Sequence, residues 1–391
     1  MGLQEKLKKI ADRAVEEQYL SGLNVMVLRE GRELAYVESG YTDIEGQVPV
    51  KKDSIYRLYS LSKPFTATAA MILLERGEIA LQEEVAKYLP AFKDVTVLED
   101  GKRVKPHRSM LLRDLLSMQS GLPYGNDFNE AGREVLKLQN ALEDKTDTEE
   151  QPSTVDFAES LASCPLVFHP GERWMYGFSA DVMGAVIEKA SGMRFGEFLE
   201  KEIFRPLHMK DTGFFVPAEK KDRLAKTYRG TPDGKLLFDP TKRLGISHEF
   251  VMPPNFESGG AGLVSTIEDL KRFTQMLLNQ GRLHDARILK PETVRHMCSS
   301  QLLPKHFESF NMSFTNLWGY GYGNFMRVML DPGQAFYIGR KGEYGWDGWL
   351  GCYMANLPEE KITILSMQQR ADAGTDYVTA RLRDAALSEI L

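Results

Sequence analysis

From Phe65 to Glu75 the chain is apolar nearly all the way round a helical circumference. A surface helix keeps a polar stripe for water, so a helix without one must be enclosed by other elements. Gly77 follows at once and supplies the left-handed residue that ends such a helix. Enclosing it takes a large core, and 391 residues with 42% hydrophobic content suffice.

The rest of the chain shows what encloses it. Residues up to Leu20 alternate charges with Leu3, Leu7, Ile10, Ala11 and Val15, the pattern of an amphipathic helix. Leu23 to Leu28 and Leu34 to Ser39 read as two strands joined by a hairpin turn with Gly31 in it. Three more strand-like runs, Phe325 to Leu330, Trp349 to Asn356 and Lys361 to Met367, lie near the other end, followed by a closing helix from about Asp376 to Ile390. Helical periodicity marks Met110 to Met118, Ser179 to Ala190, Phe195 to Glu202 and Ile267 to Leu278. Strands at both ends with helices between them predict an α+β fold, in which both termini feed one antiparallel sheet flanked by the terminal helices. The expected division is an α/β part from residues 1–75 and 316–391 and a mostly helical inserted region, 76–315, with the active site at their interface.

Composition excludes several functions. Net charge is −6, from 55 acidic against 49 basic residues, and no basic block offers a nucleic-acid surface. The acidic stretch Glu143 to Glu150 lacks calcium-loop spacing and reads as a solvated loop. Cys164, Cys298 and Cys352 are odd in number and far apart, which argues against a disulfide framework or a zinc site. The seven histidines form no ligand-spaced pair. No run is long and apolar enough for a membrane span or a signal peptide, so the expectation is a cytoplasmic protein with no membrane partner.

Chemistry concentrates in three places. Ser60 and Lys63 stand one helical turn apart immediately before the enclosed helix, with Pro64 where a first turn tolerates it. A lysine desolvated there loses part of its preference for the charged form and can activate a serine hydroxyl. Alone, Ser-x-x-Lys is a weak signal; its position at the mouth of an apolar helix strengthens it. Tyr176 sits in a turn before the helix from Ser179, where a phenol can reach a cleft, and a neighbouring lysine cation is expected to lower its pKa. Glu343 to Gly351 is rich in glycine and aromatics; its backbone can approach a ligand and its rings can shape a pocket. No Gly-x-Ser-x-Gly elbow, zinc-protease helix, Walker loop or dinucleotide fingerprint occurs.

Taken in order, these motifs resemble the superfamily of penicillin-binding proteins and class C β-lactamases, and most closely its family VIII carboxylesterases. Ser60-Leu61-Ser62-Lys63 is similar to the family's Ser-x-x-Lys, and Leu112 to Leu122 to its helix end closing in Ser-Gly-Leu. Tyr176 falls at the Tyr-x-Asn position; Arg205 to Thr212 and Gly259 to Leu263 are further landmarks. The resemblance implies a Ser60 acyl-enzyme with Lys63 and Tyr176 moving protons, and an oxyanion hole from the backbone N–H groups of Ser60 and Trp349. Tyr344, Trp346, Asp347, Gly348 and Phe178 are the candidate substrate-binding residues. Two departures stand out: Phe178 replaces the asparagine, and Trp346-Asp347-Gly348 replaces the Lys-Thr-Gly triad. Loss of that cation disfavours a β-lactam carboxylate and favours neutral esters. The expected activity is therefore hydrolysis of short-chain esters without metal or organic cofactor. The rivals are a β-lactamase or D-amino-acid amidase on the same site, and a silent binding protein on the scaffold. The oligomeric state is not encoded legibly.

Overall fold

The computed structural model describes residues 2–391; Met1, where the first helix was expected to begin, lies outside the described residues. Eight antiparallel strands form the central sheet. Three come from the start of the chain, β1 (Gly22–Arg29), β2 (Arg32–Asp43) and β3 (Val48–Pro49). Five come from its end, β4 (Tyr320–Tyr322), β5 (Arg327–Met329), β6 (Tyr344–Asp347), β7 (Tyr353–Leu357) and β8 (Ile362–Gln368). Their spatial order is β4-β5-β6-β7-β8-β1-β2-β3, so the first strand pairs with the last, Val25 opposite Ser366. The two ends of the chain thus close one sheet, as the sequence predicts.

β1 and β8 are buried on both faces almost throughout because the sheet is covered on both sides. Leu23, Val25, Val27, Ile362 and Ile364 pack with Leu7 and Ala11 of α1 (Leu3–Glu16) and with Leu382 and Leu387 of the C-terminal helix. Met26, Leu28, Leu365 and Met367 alternate with them and belong to the larger core around α2 (Lys63–Glu75). That helix is buried from Lys63 to Leu73. Gly77, at φ 70°, ends it, with the Glu78 N–H returning to the Leu73 carbonyl. α3 (Ser179–Ser191) packs against α2, and α4 (Ile267–Leu278) lies on the sheet itself, where Gln275 Nε2 donates to Thr363 Oγ1 at 2.9 Å.

Several boundaries differ from expectation, each for a local reason. The run from Met110 to Met118 is helical only over Leu112–Leu116, because Met118 takes φ 56°. The strand expected over residues 325–330 keeps only Arg327–Met329, since Phe325 at φ 58° makes the turn from β4, a strand not anticipated. The acidic stretch is not simply solvated. Glu143 ends a helix from Glu130 to Asp144, its carboxylate accepts the Leu244 N–H at 2.7 Å, and Asp147 pairs with Lys242 at 3.1 Å. All three cysteines are unpaired. Among the described residues no helix is long and apolar enough to cross a membrane.

The C-terminal helix α5 (Tyr377–Ile390) is fixed by a buried ion pair. Arg383 donates two bonds to Glu343, both at 2.9 Å, and one to the Tyr353 hydroxyl at 2.7 Å. Removing one member strands the other charge without water. Glu343→Ala is expected to cost about 3–5 kcal/mol of unfolding free energy in urea melts. The paired change Glu343→Leu with Arg383→Met should cost clearly less; equal costs would show that the ion pair is not the cause.

Candidate active site

A short pairing of Tyr56–Arg57 with Val264–Ser265 delivers the chain to one turn of 3-10 helix, Tyr59–Ser62, which runs directly into α2. Ser60 lies in that tighter turn and Lys63 opens the α-helix, so a three-residue repeat stacks the two side chains. Tyr59, immediately before, has φ 45°, a left-handed conformation that costs a bulky residue on the order of 1–3 kcal/mol. Its surroundings enforce it: Tyr59 is fully buried edge-on to Trp349 at 5.0 Å, and the Leu58 N–H is tied to the Leu263 carbonyl at 2.8 Å.

Ser60 is partly exposed, whereas Lys63 is wholly buried. The Lys63 amine lies 3.1 Å from Ser60 Oγ, 3.1 Å from the Tyr124 hydroxyl and 2.9 Å from the Gly260 carbonyl. Burial pushes its pKa down to about 7, against the opposing pull of the Asp181 and Asp347 carboxylates. A neutral amine has two N–H groups and one lone pair. The carbonyl and the Tyr124 oxygen accept the two N–H groups, which leaves the lone pair for the serine proton.

Tyr176 reaches the same point from the turn before α3. Gly177 permits this: a Cβ there would lie 2.0 Å from the Leu122 carbonyl oxygen, so the tyrosine turn presses on the Ser-Gly-Leu segment as no other residue could. The phenol accepts a bond from Trp346 Nε1 at 3.0 Å, and Lys63 Nζ sits 4.5 Å above the ring centre. The expectation that Lys63 lowers the phenol pKa is corrected. Burial raises it, opposed by Ser60 and Trp346, so the Tyr176 phenol keeps its proton.

The strand expected from Trp349 onward is also corrected. β6 ends at Asp347, and Gly348 to Gly351 form a hairpin turn closed by Gly348 N–H to Cys352 O at 2.7 Å. A Cβ on Gly348 would meet the Leu58 carbonyl at 2.1 Å, which is where the hairpin abuts the segment leading to Ser60. Because Trp349 sits in the turn, its N–H has no ladder partner. Among the described residues neither that N–H nor the Ser60 N–H finds a protein acceptor.

The structure brings Ser60, Lys63, Tyr176, Trp346, Gly348 and Trp349 together, and separates the others. Phe178 is buried behind Tyr124, 4.7 Å ring to ring, as part of the core. Tyr344 is likewise buried, its hydroxyl accepting from Asn356 Nδ2 at 3.2 Å, because it belongs to the sheet's packed face. Neither lines the cleft. Asp347 is turned to Thr375, whose hydroxyl donates to it at 2.9 Å, with Arg327 at 3.7 Å. Burial raises its pKa, opposed first by Arg327.

Three residues escaped the sequence reading. Tyr124 follows the Ser-Gly-Leu landmark by two positions and carries no signal of its own. Phe314 packs on Tyr176 and Trp346 at 5.4 and 5.7 Å, and nothing in its neighbourhood marks it. Asp181 did have a signal, being an acid in a helix buried from Ser179 to Ile187. Its carboxylate accepts from the Ser258 hydroxyl and from the Gly260 N–H at 3.2 Å, and so holds the residue whose carbonyl receives Lys63.

A serine hydroxyl beside a desolvated amine, with two unspent backbone N–H groups on adjoining segments, is the equipment of acyl transfer through serine. The chain matches the Beta-lactamase family over residues 7–388 and belongs to it; it is a serine hydrolase. It is similar to Esterase EstB of Burkholderia gladioli, 29% identical over 98% of this chain and 95% of that protein. It is also similar to Penicillin-binding protein 4* of Bacillus subtilis, 28% identical over 91% of this chain and 70% of that protein. Among solved structures it resembles EstCE1, a hydrolase with promiscuous acyltransferase activity, at TM-score 0.82 and 25% identity over 98% of both chains.

The pH profile follows from the buried amine. kcat/KM on an ester is expected to rise with pH through about 7 as Lys63 loses its proton, then level off. Asp181→Asn keeps the bonds to Ser258 and Gly260 but removes a charge that favours the ammonium, so the acid limb should move to lower pH; an unmoved limb sinks this account. Trp346→Phe deletes one neutral hydrogen bond to Tyr176 and should lower kcat by up to about tenfold without moving the limb.

Proposed function

We propose that this chain is a carboxylesterase that hydrolyses short-chain esters through an acyl-enzyme on Ser60, in the cleft between the sheet-bearing part, residues 1–75 and 316–391, and the helical region 76–315. The neutral Lys63 amine takes the Ser60 proton as the oxygen attacks the ester carbonyl. The oxyanion accepts hydrogen bonds from the N–H groups of Ser60 and Trp349, each worth about 3 kcal/mol in such sites. Tyr176 donates its proton to the departing alkoxide and recovers one from the Lys63 side. Water then attacks the acyl-enzyme by the same route in reverse. All of this is done by side chains and backbone of the chain itself.

The observation that carries the reading is the Lys63 amine, buried with its pKa near 7 and 3.1 Å from Ser60 Oγ. Esters are favoured over β-lactams because residue 346 is tryptophan. Its indole supplies the hydrogen bond to Tyr176 but no charge to pair with a lactam carboxylate. The likeness to EstB and EstCE1, named as an esterase and a hydrolase, points the same way.

Ser60→Ala is expected to abolish turnover of 4-nitrophenyl butyrate and labelling by a fluorophosphonate, with an unchanged melting temperature. Undiminished activity in that variant removes Ser60 from the mechanism. Faster turnover of nitrocefin or a D-alanyl amide than of the ester replaces the esterase reading with the amidase one, and a wild-type protein inert to ester and probe alike is a binding protein.

A further inference from the structure

The cation missing from the strand has a counterpart on a loop. Arg243 lies on the segment between Asp239 and Phe250, and its guanidinium carbon stands 5.0 Å over the ring of Trp349, whose backbone N–H is one half of the candidate oxyanion hole. The side chain is exposed. Among the described residues it has no acidic partner and makes no side-chain hydrogen bond.

Four acids around this loop are held by other partners. Asp239 accepts from Arg229 at 3.0 Å and from the Thr241 N–H at 3.0 Å. Asp372 takes Arg229 at 2.6 Å on one oxygen and Trp349 Nε1 at 2.6 Å on the other. Glu143 holds Gln139 and the Leu244 N–H at 2.9 and 2.7 Å, and Asp147 holds Lys242 at 3.1 Å. Among the described residues Arg243 is thus a guanidinium with no carboxylate of its own, standing over Trp349.

The loop that carries it is held in place. Arg57, buried at the foot of the Ser60 turn, donates to the Ser247 and Ala225 carbonyls at 3.2 and 2.8 Å and also to that of His248. The turn at Leu244 and Gly245, at φ 56° and 72°, returns the chain so that the Ile246 N–H bonds the Arg243 carbonyl at 3.1 Å. Arg243 is thus presented from a fixed backbone with its head free. Its charge reaches Tyr124 and Tyr59, where it opposes the rise that burial imposes on both phenols. In the proposed mechanism Tyr176, bonded to Trp346, serves the leaving alcohol, whereas Arg243 stands over Trp349 instead.

We propose that Arg243 recognises a carboxylate on the acyl arm of the substrate, so that the preferred esters are monoesters of short dicarboxylic acids. This rests on the esterase reading and sharpens it. A planar guanidinium braced on an indole face offers a two-pronged bond to a carboxylate while its charge stays partly solvated.

The test compares mono-4-nitrophenyl adipate with 4-nitrophenyl hexanoate, matched in chain length and leaving group, together with 4-(butyryloxy)benzoate, which carries its carboxylate on the alcohol side. In Arg243→Gln the ratio of kcat/KM for adipate over hexanoate should fall roughly tenfold to a hundredfold, mostly through KM. Arg243→Lys should restore part of it, and added salt should erode the wild-type preference. An unchanged ratio, or a loss of the same size on all three esters, overturns the proposal, as does a loss confined to the benzoate. If wild-type protein turns over none of the three and Ser60 takes no fluorophosphonate, the esterase reading itself has failed, an outcome separate from any effect of residue 243.

Discussion

A lysine amine with no water around it organises this molecule. Burying an ammonium is costly, so the protein neutralises it near physiological pH instead, and the surroundings are arranged for a neutral amine. Gly260 and Tyr124 accept its protons, Ser60 takes the lone pair, and Tyr176 lies beneath it. The carboxylates of Asp181 and Asp347 keep the pKa from falling further. The apolar circumference of α2 that closes the core is the same feature that desolvates Lys63 at its first turn. Fold and reactivity are here two consequences of one pattern.

The electrostatics of the cleft follow from a substitution on the strand. Where the resembled family places a lysine, Trp346 offers an N–H to the Tyr176 oxygen and an apolar face to Phe314 and Tyr322. The hydrogen bond is kept and the charge is given up. With Tyr124, Tyr176 and Phe314 it makes an uncharged aromatic wall. Positive charge returns on the loop that Arg57 pins, where Arg243 stands over Trp349.

Much of this was legible in the chain itself. The strand-like runs at both ends, the apolar α2 and the terminal helices gave away the single sheet, because burial leaves its record in where apolar side chains recur. Ser60, Lys63 and Tyr176 were legible because they sit at helix starts, where local spacing fixes what meets. Phe178 and Tyr344 were assigned to the cleft on position alone, yet their side chains pack into the core. Asp181 could have been found as an acid in a buried helix; Tyr124, Phe314 and Arg243 could not, since each reaches the site across a fold no local pattern encodes.

The amino-acid order by itself therefore determined that strands from both ends meet in one sheet, that one helix is enclosed, and that a serine and a lysine stand one turn apart at its start. These are matters of spacing within a few residues and of where apolar side chains recur. Tertiary structure alone decided that the amine loses its water, that Trp349 falls in a turn with its N–H unspent, and that Arg243 stands over its ring. Those depend on contacts between segments more than a hundred residues apart, and dehydration, unpaired amides and stray charges become defined only once the surrounding atoms are in place.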